Sequence, residues 1–205
     1  MTDRAAAMRS FERRMRRERA VAADVVACAS VTDTVERAAA RMSRVIARMV
    51  LREWSISARS TMRRLGVELR LVRSKRIVSV VDRCVIDPAG WSMRKLRAVA
   101  QTLVVTMMTS ARTAGALDVA DALSHVELAR VKRKRRPRLT KEWVSLGDAK
   151  TCEECDEMDG DVVNAYSMFR LSADRTPKAY DYHGEKIEGP ELHPNCRCDL
   201  LVSYA

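Results

Sequence analysis

A chain of 205 residues is long enough to bury a core, as one compact domain or as a domain with an extension. Seven glycines, five prolines and 4 % aromatics against 47 % hydrophobic residues leave Ala, Val, Leu and Met as the apolar stock, the composition of helices and a poor one for a sheet-dominated fold. No apolar run approaches the ~18–20 residues of a membrane span, and Arg4, Arg9, Arg13, Arg14, Arg16 and Arg17 stand where a signal peptide would place apolar residues, so the expectation is a soluble protein made in the cytosol.

The net charge of +11 hides a division. Residues 1–139 carry 31 Lys and Arg against 13 Asp and Glu, while residues 140–205 carry 7 against 14. The expected organisation is therefore a basic helical domain, 1–139, and an acidic, turn-rich module, 140–205. A basic part so strongly charged suits nucleic acid, an acidic protein surface or its own acidic tail. Thirty of the 38 basic residues are Arg, a bias that a GC-rich genome explains as readily as selection for guanidinium chemistry.

Residues 2–85 contain one glycine, Gly66, and no proline, so long helices are expected, as a bundle or as an extended arm. Val31, Val35, Ala38, Met42, Val45, Met49, Val50 and Trp54 recur at steps of three and four on one helical face, with Arg37, Arg41, Arg44 and Arg48 beside or behind it. Residues 67–86 are rich in β-branched side chains, but Leu69, Val72, Arg76, Val80 and Cys84 fit helical steps, and a helix is expected there too. Asp87 followed by Pro88 reads as an N-cap and first helical position. The helix that starts there runs through Leu96, Val99, Leu103 and Met107 and continues or restarts over residues 111–131, with Gly115 permitting close packing. His125 in this run has the setting of a solvated or core-edge histidine, and Cys28 and Cys84 that of small core residues.

The run Lys132, Arg133, Lys134, Arg135, Arg136, Pro137, Arg138 ends the helical part, because like charges repel and proline disfavours helix at the residue before it. Its basic residues are candidates for contact with DNA phosphates or an acidic partner, and a solvated linker is the competing reading. No aromatic residues interleave with the charges as in a platform for single strands.

After Trp143 the texture becomes short and turn-rich, with Gly147-Asp148, Asp159-Gly160-Asp161, His183-Gly184 and Gly189-Pro190, so hairpins are expected. Cys152 and Cys155 form C-x-x-C, and His193, Cys196 and Cys198 lie in H-P-N-C-R-C. Two residues between thiols let both reach one ion, and a second pair closes a tetrahedron. Five residues compete for four positions: Cys152, Cys155, Cys196 and Cys198, or Cys152, Cys155, His193 and Cys196. Two disulfides joining the same clusters are the alternative, disfavoured by a cytosolic origin. With four protein ligands the ion, expected to be zinc, is structural, and the tail depends on it to fold.

The stretches W-V-S-L-G-D-A-K-T-C-E-E-C-D-E-M-D-G-D-V-V from Trp143 and E-L-H-P-N-C-R-C-D-L from Glu191 resemble the phage head morphogenesis family typified by the F protein of phage Mu. Trp143, Asp148, Cys152, Cys155, Asp159, Gly160, His193, Asn195, Cys196, Arg197 and Cys198 occupy that pattern. Residues 106–123 look like the helix preceding the module in such proteins, except that Ala114 stands where an acidic residue is expected. Composition, helical periodicity and the turn-rich, cysteine-bearing tail together give the expected fold, a mainly α protein with long basic helices and a small α+β metal-stabilised C-terminal module. The resemblance implies a minor virion protein at or near the portal, without catalysis, with portal, capsid or scaffold proteins as partners and packaged DNA as a further one; no membrane and no small-molecule substrate enter. A DNA-binding regulator with a zinc clip, and a nuclease of the HNH kind using His183, His193 and Asn195, are the alternatives. Arginines spread over all faces suit base readout poorly, and the second metal-site histidine of a nuclease is missing at short spacing.

Overall fold

The computed structural model describes residues 2–27, 33–130, 138–149, 151–170 and 186–205. The elements in chain order are α1 (Thr2–Ala27), α2 (Val35–Leu65), α3 (Lys75–Asp82), α4 (Met93–Arg130), β1 (Leu139–Val144), α5 (Glu153–Glu157), β2 (Val162–Asn164), β3 (Phe169–Arg170), β4 (Lys186–Ile187) and β5 (Asp199–Tyr204). The fold is mainly helical with a small antiparallel sheet near the C-terminus, and the long helices pack together as a bundle.

Helix α2 starts where Thr34 accepts the amide of Arg37 at 3.4 Å and stops where Gly66 turns left-handed at φ 64°. Its inner face is Ala38, Ala39, Met42, Ile46 and Val50, continued by Ser57, Ala58, Thr61 and Leu65. The expected face is rotated slightly: Ile46 is at its centre, while Val45, Met49 and Trp54 are half-buried at the margin. Val31 lies outside the described residues, as does Cys28.

Two expected helices are shorter than the sequence pattern suggested. Residues 67–74 are not helical, because Gly66 ends α2 and the chain then alternates: Val67, Leu69 and Leu71 pack on the core while Glu68, Arg70 and Val72 are exposed. Only α3 is helical there, capped by Ser74, whose Oγ accepts the amide of Ile77 at 3.3 Å. Likewise Asp87 and Pro88 do not open α4. Asp87 accepts the amide of Ala89 at 3.3 Å, and the Trp91 amide returns to the Pro88 carbonyl at 2.8 Å around Gly90 at φ 71°, so the pair builds a turn. Ser92 is the residue that caps α4, taking the Lys95 amide on its hydroxyl at 3.2 Å.

Helix α4 is the axis of the molecule. Residues 107–120 are all buried, wrapped by α1, α2, α3 and β5, which is why its sequence is small and apolar on every side. Gly115 allows the closest contact: a Cβ there would stand 2.6 Å from the Trp54 carbonyl oxygen.

In the C-terminal sheet, β1 is central, antiparallel to β2 (Lys141 opposite Val163) and to β5 (Leu139 opposite Tyr204, Val144 opposite Asp199), while β3 and β4 pair separately. One hydrophobic cluster joins α1, the first half of α2, α3 and the first half of α4. A second joins Ala58, Leu65, Leu117, Ala120 and Leu123 to Leu139, Trp143, Met158, Phe169, Leu192, Leu200 and Val202, so sheet and helices share a core. Trp143 is fully buried, edge-on to Phe169 at 5.5 Å.

Candidate metal centre

Both ligand arms are built by local backbone rules. Cys152 is the N-cap of α5, and its sulfur accepts the amide of Cys155 at 3.4 Å; capping thus turns both thiols of the C-x-x-C toward one point. The second arm, residues 193–198, is a tight loop in which the Cys196 amide bonds to the His193 carbonyl at 3.0 Å and Asn195 takes a left-handed φ of 64°. Helix α4 anchors this loop: Thr106 Oγ accepts the Asn195 amide at 3.1 Å, and Thr109 Oγ donates to the Cys196 carbonyl at 2.6 Å.

The arms meet. Cys152 Sγ and Cys155 Sγ stand 2.9 and 3.3 Å from His193 Nε2, and Cys155 Sγ stands 3.8 Å from Cys196 Sγ. Two groups result, Cys152 with Cys155 and His193, and Cys155 with Cys196 and Cys198, with all ligand atoms in each lying within 4.8 Å and Cys155 common to both. The five predicted residues thus form two overlapping groups of three that share Cys155. The four cysteines here are free thiols. Zinc–sulfur bonds of ~2.3 Å in a tetrahedron put sulfurs about 3.8 Å apart, the Cys155–Cys196 separation.

Three further observations fit a soft cation. His193 Nδ1 lies 2.8 Å from the Pro194 carbonyl and must carry the proton in that contact, which leaves the Nε2 lone pair facing the sulfurs. The indole N–H of Trp143 is buried without a hydrogen-bond partner, yet it favours the ionised form of Cys198; a ligated thiolate would satisfy it. Finally, the cavity lined by Cys152, Cys155, His193 and Cys198 is about 10 Å³, room for a single small sphere.

The thiols share protons unequally. Hydrogen bonds from Cys155 and Cys198 hold Cys196 well below the ordinary thiol value, and the bond to Cys196 pushes Cys155 correspondingly up. Thiols must lose their protons to bind metal, so loading an ion here would release protons from this cluster.

The other residues of the motif hold this geometry. Arg197 and Asp148 form a two-pronged pair at 2.9 and 2.5 Å that ties one arm to the other. Asp159 Oδ1 accepts the Ser145 amide at 2.7 Å, and the Gly160 amide bonds to the Trp143 carbonyl at 2.9 Å, closing the turn between α5 and β2 onto β1.

Of the predicted phosphate-contacting residues, Arg138 is exposed at the start of β1, and Lys132, Arg133, Lys134, Arg135 and Arg136 lie outside the described residues. His183 lies outside them as well. His125 is exposed. The sequence reading missed a buried charge cluster behind the metal loop. Arg112, on α4, pairs with Glu18 of α1 and approaches Glu53 at 3.8 Å and Asp199 at 3.9 Å, while Arg14 meets Asp199 at 2.9 Å. Arg112 also donates to Thr109 Oγ at 2.9 Å, the same hydroxyl that holds the Cys196 carbonyl. A signal was present: Arg112 is the lone charge between Arg97 and Asp118 in a run of small and apolar residues.

No helix of the described residues is long and apolar enough to cross a membrane. No curated protein and no solved structure matches the chain. A family model described as phage Mu protein F like protein matches residues 88–201. That span contains α4, β1 to β4, the start of β5 and all five candidate ligands, and it covers more than half of the sequence: the chain belongs to the phage Mu protein F-like family of phage head proteins.

Proposed function

We propose that this protein is a minor virion protein acting at or near the portal during head assembly, in a structural and non-catalytic role. The observation that carries the reading is the family match over 88–201, which takes in α4, most of the sheet and the cysteine loop. The protein is made in the host cytoplasm and ends in the virion, with portal, capsid or scaffold proteins as partners. Neither a membrane nor a small-molecule substrate is part of this role.

In this reading the chain divides its labour. The acidic part, 140–205, is a docking knob whose shape is held by zinc on four of Cys152, Cys155, His193, Cys196 and Cys198. Zinc, when bound, would supply cross-linking, because four protein ligands leave such an ion no open position for water or substrate. The basic part, 1–139, contacts packaged DNA through phosphates, with Lys132, Arg133, Lys134, Arg135, Arg136 and Arg138 among the contacts. The test is assembly: purified heads and mature particles should contain the chain, and it should co-purify with portal or capsid subunits. Particles lacking it at every stage would overturn the reading.

A further inference from the structure

Helix α2 carries a feature that neither the metal centre nor the family match uses. Arg37, Arg41, Arg44, Arg48, Arg52, Arg59 and Arg63 are all exposed. At 100° per residue they fall within about 100° of the helix circumference, centred about 130° away from the buried row of Ala38, Met42, Ile46 and Val50. The remaining arginine of α2, Arg64, points elsewhere and bonds to the Val202 carbonyl. From Arg37 to Arg63 the row rises about 39 Å at 1.5 Å per residue.

The row is of one sign. The only acids in α2 are Glu36, off the row, and Glu53, buried on the inner face. Asp33, before the helix, meets Arg41 at 3.0 Å. A solvated helix face ordinarily alternates charges and gains from i, i+4 pairs; here like charges sit three and four apart, an arrangement that costs helix stability unless an anion covers it.

We propose that this arginine row is a track for double-stranded DNA, bound through its phosphates without regard to sequence. This deepens the DNA contact proposed above and rests on that reading. Three properties favour duplex DNA as the occupant. The row is slightly longer than one turn of the duplex, 34–36 Å, so a straight helix laid along the DNA meets backbone at both of its ends. Guanidinium forks match phosphate oxygens in pairs. No aromatic residue lies on the row, which removes the stacking platform that single strands need.

The experiment uses the full chain and a fluorescent 30-base-pair duplex of arbitrary sequence, with affinity measured from 50 to 200 mM salt. If each of the seven arginines neutralises one phosphate, the row alone contributes a slope of about −6.3 in log K against log salt, or about 6,000-fold over that range. Replacing Arg37, Arg44, Arg48 and Arg52 together by Gln, a comparable helix former, should make the slope shallower by about 3 to 4 with helix content and melting temperature no lower than those of the wild type. An unchanged slope overturns the track. If replacing Lys132, Arg133, Lys134, Arg135 and Arg136 abolishes the salt dependence while the four-arginine variant keeps it, the DNA reading stands and the track falls. Loss of binding to an acidic protein, or to a second copy, with DNA affinity intact would assign the row to a protein partner and overturn the proposal. Absence of the chain from particles bears on the virion role alone.

Discussion

Arg112 and Glu18 form an ion pair buried on both sides, across 94 positions of chain. Around them gather Arg14, Glu53 and Asp199, so α1, α2, α4 and β5 meet at one charged point inside the protein. Burial lowers the Arg112 pKa only to about 10, which leaves it charged at neutral pH, and burial raises that of Glu53. Removing one member of such a cluster leaves the others uncompensated in a low dielectric. Arg112→Leu should cost about 3–5 kcal/mol, measured by urea unfolding. A loss below 1 kcal/mol would mean that water reaches the cluster.

The same cluster lies one hydroxyl away from the metal loop. Thr109→Val keeps the volume of the side chain but removes the bond to the Cys196 carbonyl. We expect about 1–3 kcal/mol of destabilisation from the buried carbonyl left unpaired. A weaker metal affinity in competition with a chelator should accompany it, since the loop is no longer held.

Cys155 belongs to both ligand groups, so Cys155→Ser should abolish metal binding outright, whereas Cys198→Ser and His193→Ala should differ from each other. Metal content by mass spectrometry on purified protein, expected at one zinc per chain, reads this directly. Cys84→Ser serves as the control, because that thiol is buried against α2 and α4 and burial pushes its pKa up to about 11. Metal-free wild type with two disulfides would return the alternative weighed from the sequence.

Lys141 gives the molecule a pH signature. Its ammonium donates to the Glu188 carbonyl at 2.7 Å over the Phe169 ring, and burial lowers its pKa from 10.5 to about 8. Between these values the unfolded chain holds the proton that the folded chain has lost. Stability from this residue therefore rises as pH goes from about 8 to 10.5 and is flat below 8. In Lys141→Met that rise should be absent, so the difference between the two melting-temperature profiles should widen from about pH 8 to 10.5; parallel profiles would contradict it.

Gly115→Ala tests the contact between α2 and α4. On an isolated helix the change would stabilise by about 1 kcal/mol. Here the new Cβ meets the Trp54 carbonyl at 2.6 Å and the Ala58 amide at 3.0 Å, both backbone atoms that cannot swing aside. Net destabilisation of about 1–3 kcal/mol is expected by denaturant titration.

Residue spacing made two things legible. Steps of three and four located α2 and its basic outer face, and the C-x-x-C and H-x-x-C-x-C spacings identified all five residues that converge. These signals are local: a helix repeats itself every turn, and a knuckle is built from adjacent residues. What escaped was non-local or conditional on packing. The pairing of Arg112 with Glu18 leaves no periodicity to read. Residues 67–74 have a helical pattern in principle, but Gly66 and the core beneath Leu69 and Leu71 draw them straight. Asp87-Pro88 suits a helix start, yet Gly90 two residues on bends the chain before Ser92 can cap α4.

The wrapping of α4 also imposes an order in time. Thr109 waits for Cys196, 87 positions later, and Arg112 waits for Asp199 of β5. At 5–20 residues per second a ribosome needs about 4 to 17 s to make the intervening chain. During that interval the central helix has neither its last strand nor the loop that carries the second set of ligands. The newborn chain therefore holds an apolar, half-dressed helix until its last residues are made, and that interval is when it is most exposed to aggregation and proteolysis.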